Sequence, residues 1–355
     1  MKTKIISITE GGKEQDKIYQ EAAEIIKQGG LVAFPTETVY GLGANGLEEA
    51  AAAKIYTAKG RPSDNPLILH IAEVKQLERI VKQIPDAAKK MIQNYWPGPL
   101  TLVFEKANCV PYGTTGGLET VAVRMPNHIV AKRLIQESDV PIAAPSANLS
   151  GRPSPTKASH VAEDLLDRID LILDGGSVGI GLESTIVDVT VTPPVILRPG
   201  YITKEMLTEL LQEEISVDPA LIQETETNLK PKAPGMKYRH YAPKAELIIV
   251  EGSSYQMAKK IEELAAKQAA QGKQVGIIGT KEFQNEYRTG FIKIIGTRAQ
   301  EETIAKNLYR ILREFDESQV DIIYSEGFSS EHFGQAIMNR LLKAAGNKRI
   351  VLSEQ

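Results

Sequence analysis

Lys59-Gly60-Arg61-Pro62 sets two cations two residues apart. Pro62 disfavours the helical conformation for Arg61, and in extended backbone residues two apart point the same way. Lys59 and Arg61 are therefore expected to face one spot, an arrangement suited to a polyphosphate or a carboxylate. The neutral donors Ser63 and Asn65 follow, and the apolar run Leu67 to Ile71 comes just after. Ser146-Ala147-Asn148 repeats the spacing with neutral polar groups. It belongs to Ala144 to Ser154, a strand end running into a Ser/Gly/Pro loop. Such a loop either connects elements or holds phosphate on its backbone N–H groups and hydroxyls.

Other candidates are single residues. In Thr120-Val121-Ala122-Val123-Arg124, period-two alternation places Val121 and Val123 on a core face and Thr120 and Arg124 on the opposite one. His70 interrupts an apolar strand and reads equally as a hydrogen-bonded core residue. Thr38, in Pro35-Thr36-Glu37-Thr38-Val39-Tyr40-Gly41-Leu42-Gly43, reads as a turn or cap residue. The other histidines (128, 160, 240 and 332) have no metal-ligand spacing, and the single Cys109 excludes a disulfide framework or a multi-cysteine zinc site. No GxxxxGK[ST] phosphate loop is present, and Gly41-Leu42-Gly43 is too short to replace one. Lys237-Tyr238-Arg239-His240-Tyr241 alternates cations with aromatic rings. It suits a nucleic-acid contact, a lid, or a plain linker.

The elements that must position these residues alternate between short apolar strands and amphipathic helices, an α/β pattern. Strands are expected at the N-terminus and near 30–34, 67–71, 99–104, 120–124, 141–144, 170–173, 185–191 and 195–198, with an Ala-rich helix over 47–58. The irregular beat predicts a mixed, twisted sheet with helices packed on it. From about Ser216 the pattern fades into Glu-Thr-Glu-Thr-Asn at 224–228 and prolines at 231 and 234, which suits a linker. Regular alternation after Pro243 predicts a small βαβ-type domain with a parallel sheet. Domains are thus expected at 1–215 and 245–355, joined by a linker or lid over 216–244. At 355 residues, 42% hydrophobic, 25% charged and net −3, the chain has the makeup of a globular protein and not of a whole-molecule polyanion binder. With no apolar run long enough for a membrane span and one cysteine, it reads as cytoplasmic.

Together the Pro35–Gly43, Lys59–Leu67 and Ser146–Asn148 motifs strongly resemble the YrdC-type threonylcarbamoyl-AMP synthases in their long two-domain form. The resemblance covers the first two hundred or so residues and continues into Ala233-Pro234-Gly235-Met236-Lys237-Tyr238-Arg239-His240-Tyr241-Ala242-Pro243. It implies a YrdC-type domain plus a small Rossmann-like domain. It also implies synthesis of threonylcarbamoyl-AMP from L-threonine, bicarbonate and ATP with release of pyrophosphate, for threonylcarbamoyl-adenosine modification of tRNA. It assigns Lys59, Arg61, Asn65, Thr120, Ser146, Asn148, Ser154, Arg198 and Tyr238 to ATP, with Lys59 and Arg61 as catalytic cations. Thr38, His70, Arg124, the Ala144 backbone and Ser184 go to L-threonine. Mg²⁺ is expected with ATP, held mainly by phosphates and water, with Glu37 an outer partner. Expected partners are downstream proteins that transfer threonylcarbamoyl to tRNA, and a weak contact with tRNA itself. Two alternatives are weighed beside this. One is a non-catalytic RNA-binding translation accessory protein. The other is a carbamoyl-adenylate enzyme of hydrogenase maturation, whose paired cysteine zinc motifs this chain lacks.

Overall fold

The computed structural model describes residues 2–8, 13–221, 233–234 and 241–352. These divide into two compact units. The first contains 2–150, 154–179 and 183–234; the second contains 151–153, 180–182 and 241–352. Among the described residues no helix is long and apolar enough to cross a membrane.

The first unit is built on strands β1 (Lys4–Ser7), β2 (Val32–Phe34), β3 (Gly41–Asn45), β4 (Ile68–His70), β5 (Leu100–Glu105) and β6 (Thr120–Arg124). They are followed by β7 (Ile142–Ala143), β8 (Leu171–Asp174), β9 (Thr185–Asp188), β10 (Val195–Arg198) and β11 (Ser216–Val217). They form one sheet in the order β1-β8-β2-β3-β7-β4-β6-β5-β9-β10-β11. Parallel pairs such as β4–β6 and β5–β9 alternate with antiparallel pairs such as β4–β7 and β5–β6. The mixed sheet expected from the irregular strand spacing is therefore present.

One face carries the main core. Leu42, Leu69, Leu102, Val121, Val123 and Val187 pack there with Ile55, Met91, Val161 and Leu207. Those four come from the helices Glu49–Lys59, Asp86–Tyr95, Ala158–Leu165 and Lys204–Leu211. On the other face the helices Lys13–Lys27 and Ile129–Ser138 bury Tyr19, Ile26, Val130 and Leu134 against Val32, Phe34, Ile142 and Leu173. Across β4, β6, β5, β9 and β10 that second face changes character. Ile68, Val103, Ala122, Ile186 and Leu197 form a small apolar cluster with Ala233, and the polar side chains described below lie beside it.

Two strands depart from the sequence expectation. Gly41–Asn45, absent from the expected strands, is β3, paired between β2 and β7. Its glycines hide it from propensity, yet a Cβ at Gly43 would come within 2.8 Å of both Ile142 and Phe34. Ser216–Val217, inside the stretch read as linker, pairs with β10 through Ile196 and Val217.

The second unit contains β12 (Glu246–Glu251), β13 (Val275–Gly279), β14 (Phe291–Ile294), β15 (Ile322–Glu326) and β16 (Arg349–Val351). All pairs are parallel, in the order β14-β13-β15-β12-β16. Its core joins Val250, Ile277 and Tyr324 to Met257 and Ile261 of the helix Ser254–Ala269. This is the Rossmann-like domain that strand–helix alternation predicts.

Candidate active site

Five strands, far apart in sequence, align one row of residues across the second face. His70 of β4 lies opposite Arg124 of β6, and Arg124 lies opposite Thr101 of β5. Thr101 lies opposite Ile186 of β9, and Ile186 opposite Arg198 of β10. Ser184, two residues before Ile186, shares that face. Arg198 reaches the row through an irregularity. The β9–β10 register shifts between Ile196 and Arg198, and the extra residue turns Arg198 to the side that strict alternation denies it. The alternation read from Thr120–Arg124 holds: Val121 and Val123 enter the main core and Ala122 the opposite cluster. Thr120, half-buried, lies four residues along β6 from Arg124 on its face. β6 runs between β4 and β5, so Arg124 is an interior-strand arginine, 4% exposed.

Arg124 is held on three sides. Its Nε donates to the Gly98 carbonyl at 3.2 Å and its Nη1 to Thr38 Oγ1 at 2.9 Å. Its Nη2 lies 2.7 Å from Glu37 Oε1. That approach is an ion pair outside hydrogen-bond geometry: Nη2 and both Glu37 oxygens are buried without a hydrogen-bond partner among the described residues. Thr38 is set by the loop's own chemistry. The Thr36 hydroxyl donates to the Val39 carbonyl at 2.7 Å and accepts from the Thr38 amide at 3.1 Å, an ST-type turn. Thr38 is thus both the turn residue that its sequence suggests and a partner of Arg124.

His70 is 4% exposed, and its Nδ1 donates to the Ile68 carbonyl at 3.1 Å. Burial, and then the Arg124 charge, push its pKa down to about 3, so the ring is neutral at physiological pH. The Phe34 ring meets it edge-on, centroids 6.2 Å apart. Ser184 Oγ pairs with Thr101 Oγ1 at 2.7 Å and accepts from Arg198 Nη2 at 3.1 Å. Arg198 Nε donates to the Ser184 carbonyl at 3.0 Å and its Nη1 to that of Pro234 at 3.4 Å. Buried Ser154 donates to Glu183 Oε1 at 2.6 Å, next to Ser184. The Ala144 amide donates to the Ile68 carbonyl at 2.9 Å.

Lys59 and Arg61 correct the expectation of an extended pair. Lys59 is the last residue of the helix Glu49–Lys59. Gly60 is left-handed at φ 60°, with its own N–H and that of Arg61 closing the helix end on Thr57 and Tyr56. The two cations hold different carbonyls. Lys59 is 2% exposed, and its Nζ donates to the carbonyls of Ser146 and Asn148, both at 2.5 Å. Arg61 turns to the Asn65 and Pro66 carbonyls at 3.3 and 3.2 Å. Ser146 and Asn148 do share a side, with Ser146 Oγ donating to Asn148 Oδ1 at 2.6 Å. Their segment is no exposed connector: Ser146 bridges to Gly41, and Asn148 and Ser154 are buried. Asn65, 1% exposed, has a buried Oδ1 without a hydrogen-bond partner among the described residues.

Thr101 is the residue that sequence reasoning missed. Its signal was available, because Leu100, Leu102 and Phe104 enter the main core and alternation sends Thr101 to the other face. Tyr238 and most of the alternating cation–aromatic segment lie outside the described residues. As chemistry, the face offers a buried guanidinium whose Nη2 has no hydrogen-bond partner among the described residues and could meet a carboxylate. Beside it are neutral hydroxyls and an imidazole, and elsewhere in the unit Lys59 is fixed on the 146–148 segment.

Residues 24–200 match the Sua5/YciO/YrdC family model, described as "Telomere recombination". Residues 202–346 match a model described as "Threonylcarbamoyl-AMP synthase, C-terminal domain". The chain is 52% identical to a threonylcarbamoyl-AMP synthase of Pyrococcus abyssi over 93% of this chain and 94% of the relative. It is 50% identical to that of Bacillus subtilis over 99% and 100%. Among solved structures it is similar to P. abyssi Sua5 complexed with L-threonine, with 48% identity and a TM-score of 0.91 over 99% of this chain and 100% of the other. The chain belongs to the threonylcarbamoyl-AMP synthase family, in its two-domain form.

Proposed function

We propose that this chain makes threonylcarbamoyl-AMP from L-threonine, bicarbonate and ATP, as a nucleotidyltransferase that releases pyrophosphate. The observation that carries the reading is Arg124, buried on the sheet face with an Nη2 that no hydrogen bond fills. A buried guanidinium in that state suits a carboxylate partner, and L-threonine bound to the P. abyssi relative supplies one. In this reading Arg124 holds the threonine carboxylate, with Thr38, neutral His70, Ser184 and the Ala144 backbone around the rest of the molecule.

Lys59, Arg61, Asn65, Thr120, Ser146, Asn148, Ser154, Arg198 and Tyr238 are assigned to ATP. Catalysis is positional. The threonine amine and bicarbonate give a carbamate and water, and a carbamate oxygen attacks the α-phosphorus in line as pyrophosphate leaves. Fixed cations offset the charge that builds on the phosphates. Mg²⁺ accompanies ATP. Triphosphate and water would supply most of its ligands. The product would pass to proteins that modify tRNA, in the cytoplasm.

The test is pyrophosphate release from ATP and bicarbonate with L-threonine, L-serine or no amino acid. Threonine-dependent release is expected, and a folded protein that releases none under any condition contradicts the proposal.

A further inference from the structure

Glu37 is a carboxylate, its oxygens buried, to which the proposed reaction gives no direct contact with substrate. Its side chain is 15% exposed beside the 5% exposed Arg124, with Oε1 2.7 Å from Nη2. Such a pair usually closes into one or two charge-assisted hydrogen bonds. Here neither does: Nη2 and both carboxylate oxygens are buried and unfilled among the described residues. The guanidinium is already tied to Gly98 and Thr38, which fixes its plane. Buried ions of opposite sign that leave their facing hydrogen-bond capacity open are complementary to a ligand carrying both signs on adjacent atoms.

We propose that Glu37 and Arg124 together read the zwitterionic head group of the amino-acid substrate, Glu37 taking the α-ammonium and Arg124 the α-carboxylate. The inference rests on the synthase reading above and adds a specificity-determining residue to it. An α-ammonium offers three N–H donors to the two empty Glu37 oxygens. A hydroxy acid or an N-blocked amino acid satisfies Arg124 and leaves Glu37 buried without donors, and a site built to fill a polar group rejects ligands that cannot. The selected group is the nitrogen that, after losing a proton, becomes the carbamate.

The experiment is calorimetric titration without ATP or Mg²⁺, using L-threonine and 2,3-dihydroxybutanoate, in which a hydroxyl replaces the ammonium. Wild-type protein, Glu37→Gln and Glu37→Asp are compared, with ATP affinity and melting temperature as controls. Wild type is expected to favour threonine over the hydroxy acid by about 100-fold or more. Glu37→Gln should weaken threonine by roughly 30-fold or more, leave the hydroxy acid and ATP unchanged, and so lose most of the discrimination. Glu37→Asp, which keeps the charge, should retain part of it. Equal affinity of wild type for both ligands overturns the proposal. So does a Glu37→Gln loss shared by both ligands, or one that appears only when Mg²⁺ is added. Absence of threonine binding to wild type overturns the synthase reading itself. If Glu37→Gln does not fold, wild-type discrimination and Glu37→Asp decide.

Discussion

Each unit sets a glutamate beside an arginine, and the two pairs are finished differently. Glu326, at the end of β15, is wholly buried. Its Oε1 accepts from the Thr280 amide at 2.6 Å and from Tyr287 Oη at 2.7 Å. Its Oε2 accepts from Thr280 Oγ1 at 2.9 Å and Arg298 Nη2 at 2.6 Å. Glu37 and Arg124 leave three facing atoms empty among the described residues. Desolvating charge costs several kcal/mol per ion and is offset only where donors and acceptors are supplied. Around Glu326 the chain supplies them, which is the signature of a structural pin. Around Arg124 and Glu37 it supplies them only in part, which is what the proposed ligand site requires.

The sharpest way to break this contrast is at Arg124. Arg124→Met should lower threonine-dependent pyrophosphate release by about 10³-fold or more, roughly 4 kcal/mol of lost stabilisation; wild-type turnover would remove Arg124 from the site. Glu326→Ala should act on the fold. It strands Arg298, Tyr287 and the Thr280 amide and should cost about 3–5 kcal/mol by chemical denaturation. A loss within ~0.5 kcal/mol would show that the network is not a pin.

A finer test uses Asn65, whose buried Oδ1 has no hydrogen-bond partner among the described residues. Asn65→Leu should change stability by less than ~1 kcal/mol while raising the KM for ATP about tenfold; unchanged ATP kinetics would detach it from the nucleotide.

A pH-dependent effect is expected at His70. Its pKa falls from 6.5 to about 3 on folding, so between those values the unfolded chain binds the extra proton. Its contribution is intact above about pH 6.5 and is lost as pH falls, by up to ~1.4 kcal/mol per pH unit. Urea midpoints at pH 7, 5.5 and 4.5 should fall less steeply in His70→Leu than in wild type. Equal slopes would contradict a buried neutral ring.

What was legible in the sequence follows from periodicity. β6 and β10 appear with the residues expected, because alternation and flanking breakers are local signals. Chain position alone hid the row itself, since residues 70, 124, 101, 186 and 198 become neighbours only through pairing of non-consecutive strands. The shifted register before Arg198 has no period-two signature. For Lys59 and Arg61, Gly60 is the stronger signal than Pro62. An Ala-rich helix followed by glycine signals a left-handed helix end, which would have separated the two cations. Glu37 was visible only as a carboxylate near Mg²⁺, because an unfilled ion pair exists only once Arg124 has been brought beside it.

Hydrogen–deuterium exchange with and without L-threonine and ATP tests the contrast most directly. The peptides to follow cover 36–40, 144–148 and 183–185 in the first unit, and Thr280, Tyr287, Arg298 and Glu326 in the second. Ligand should slow exchange in the first set and leave the second unchanged. Protection around Glu326 with none on the Arg124 face would contradict the account.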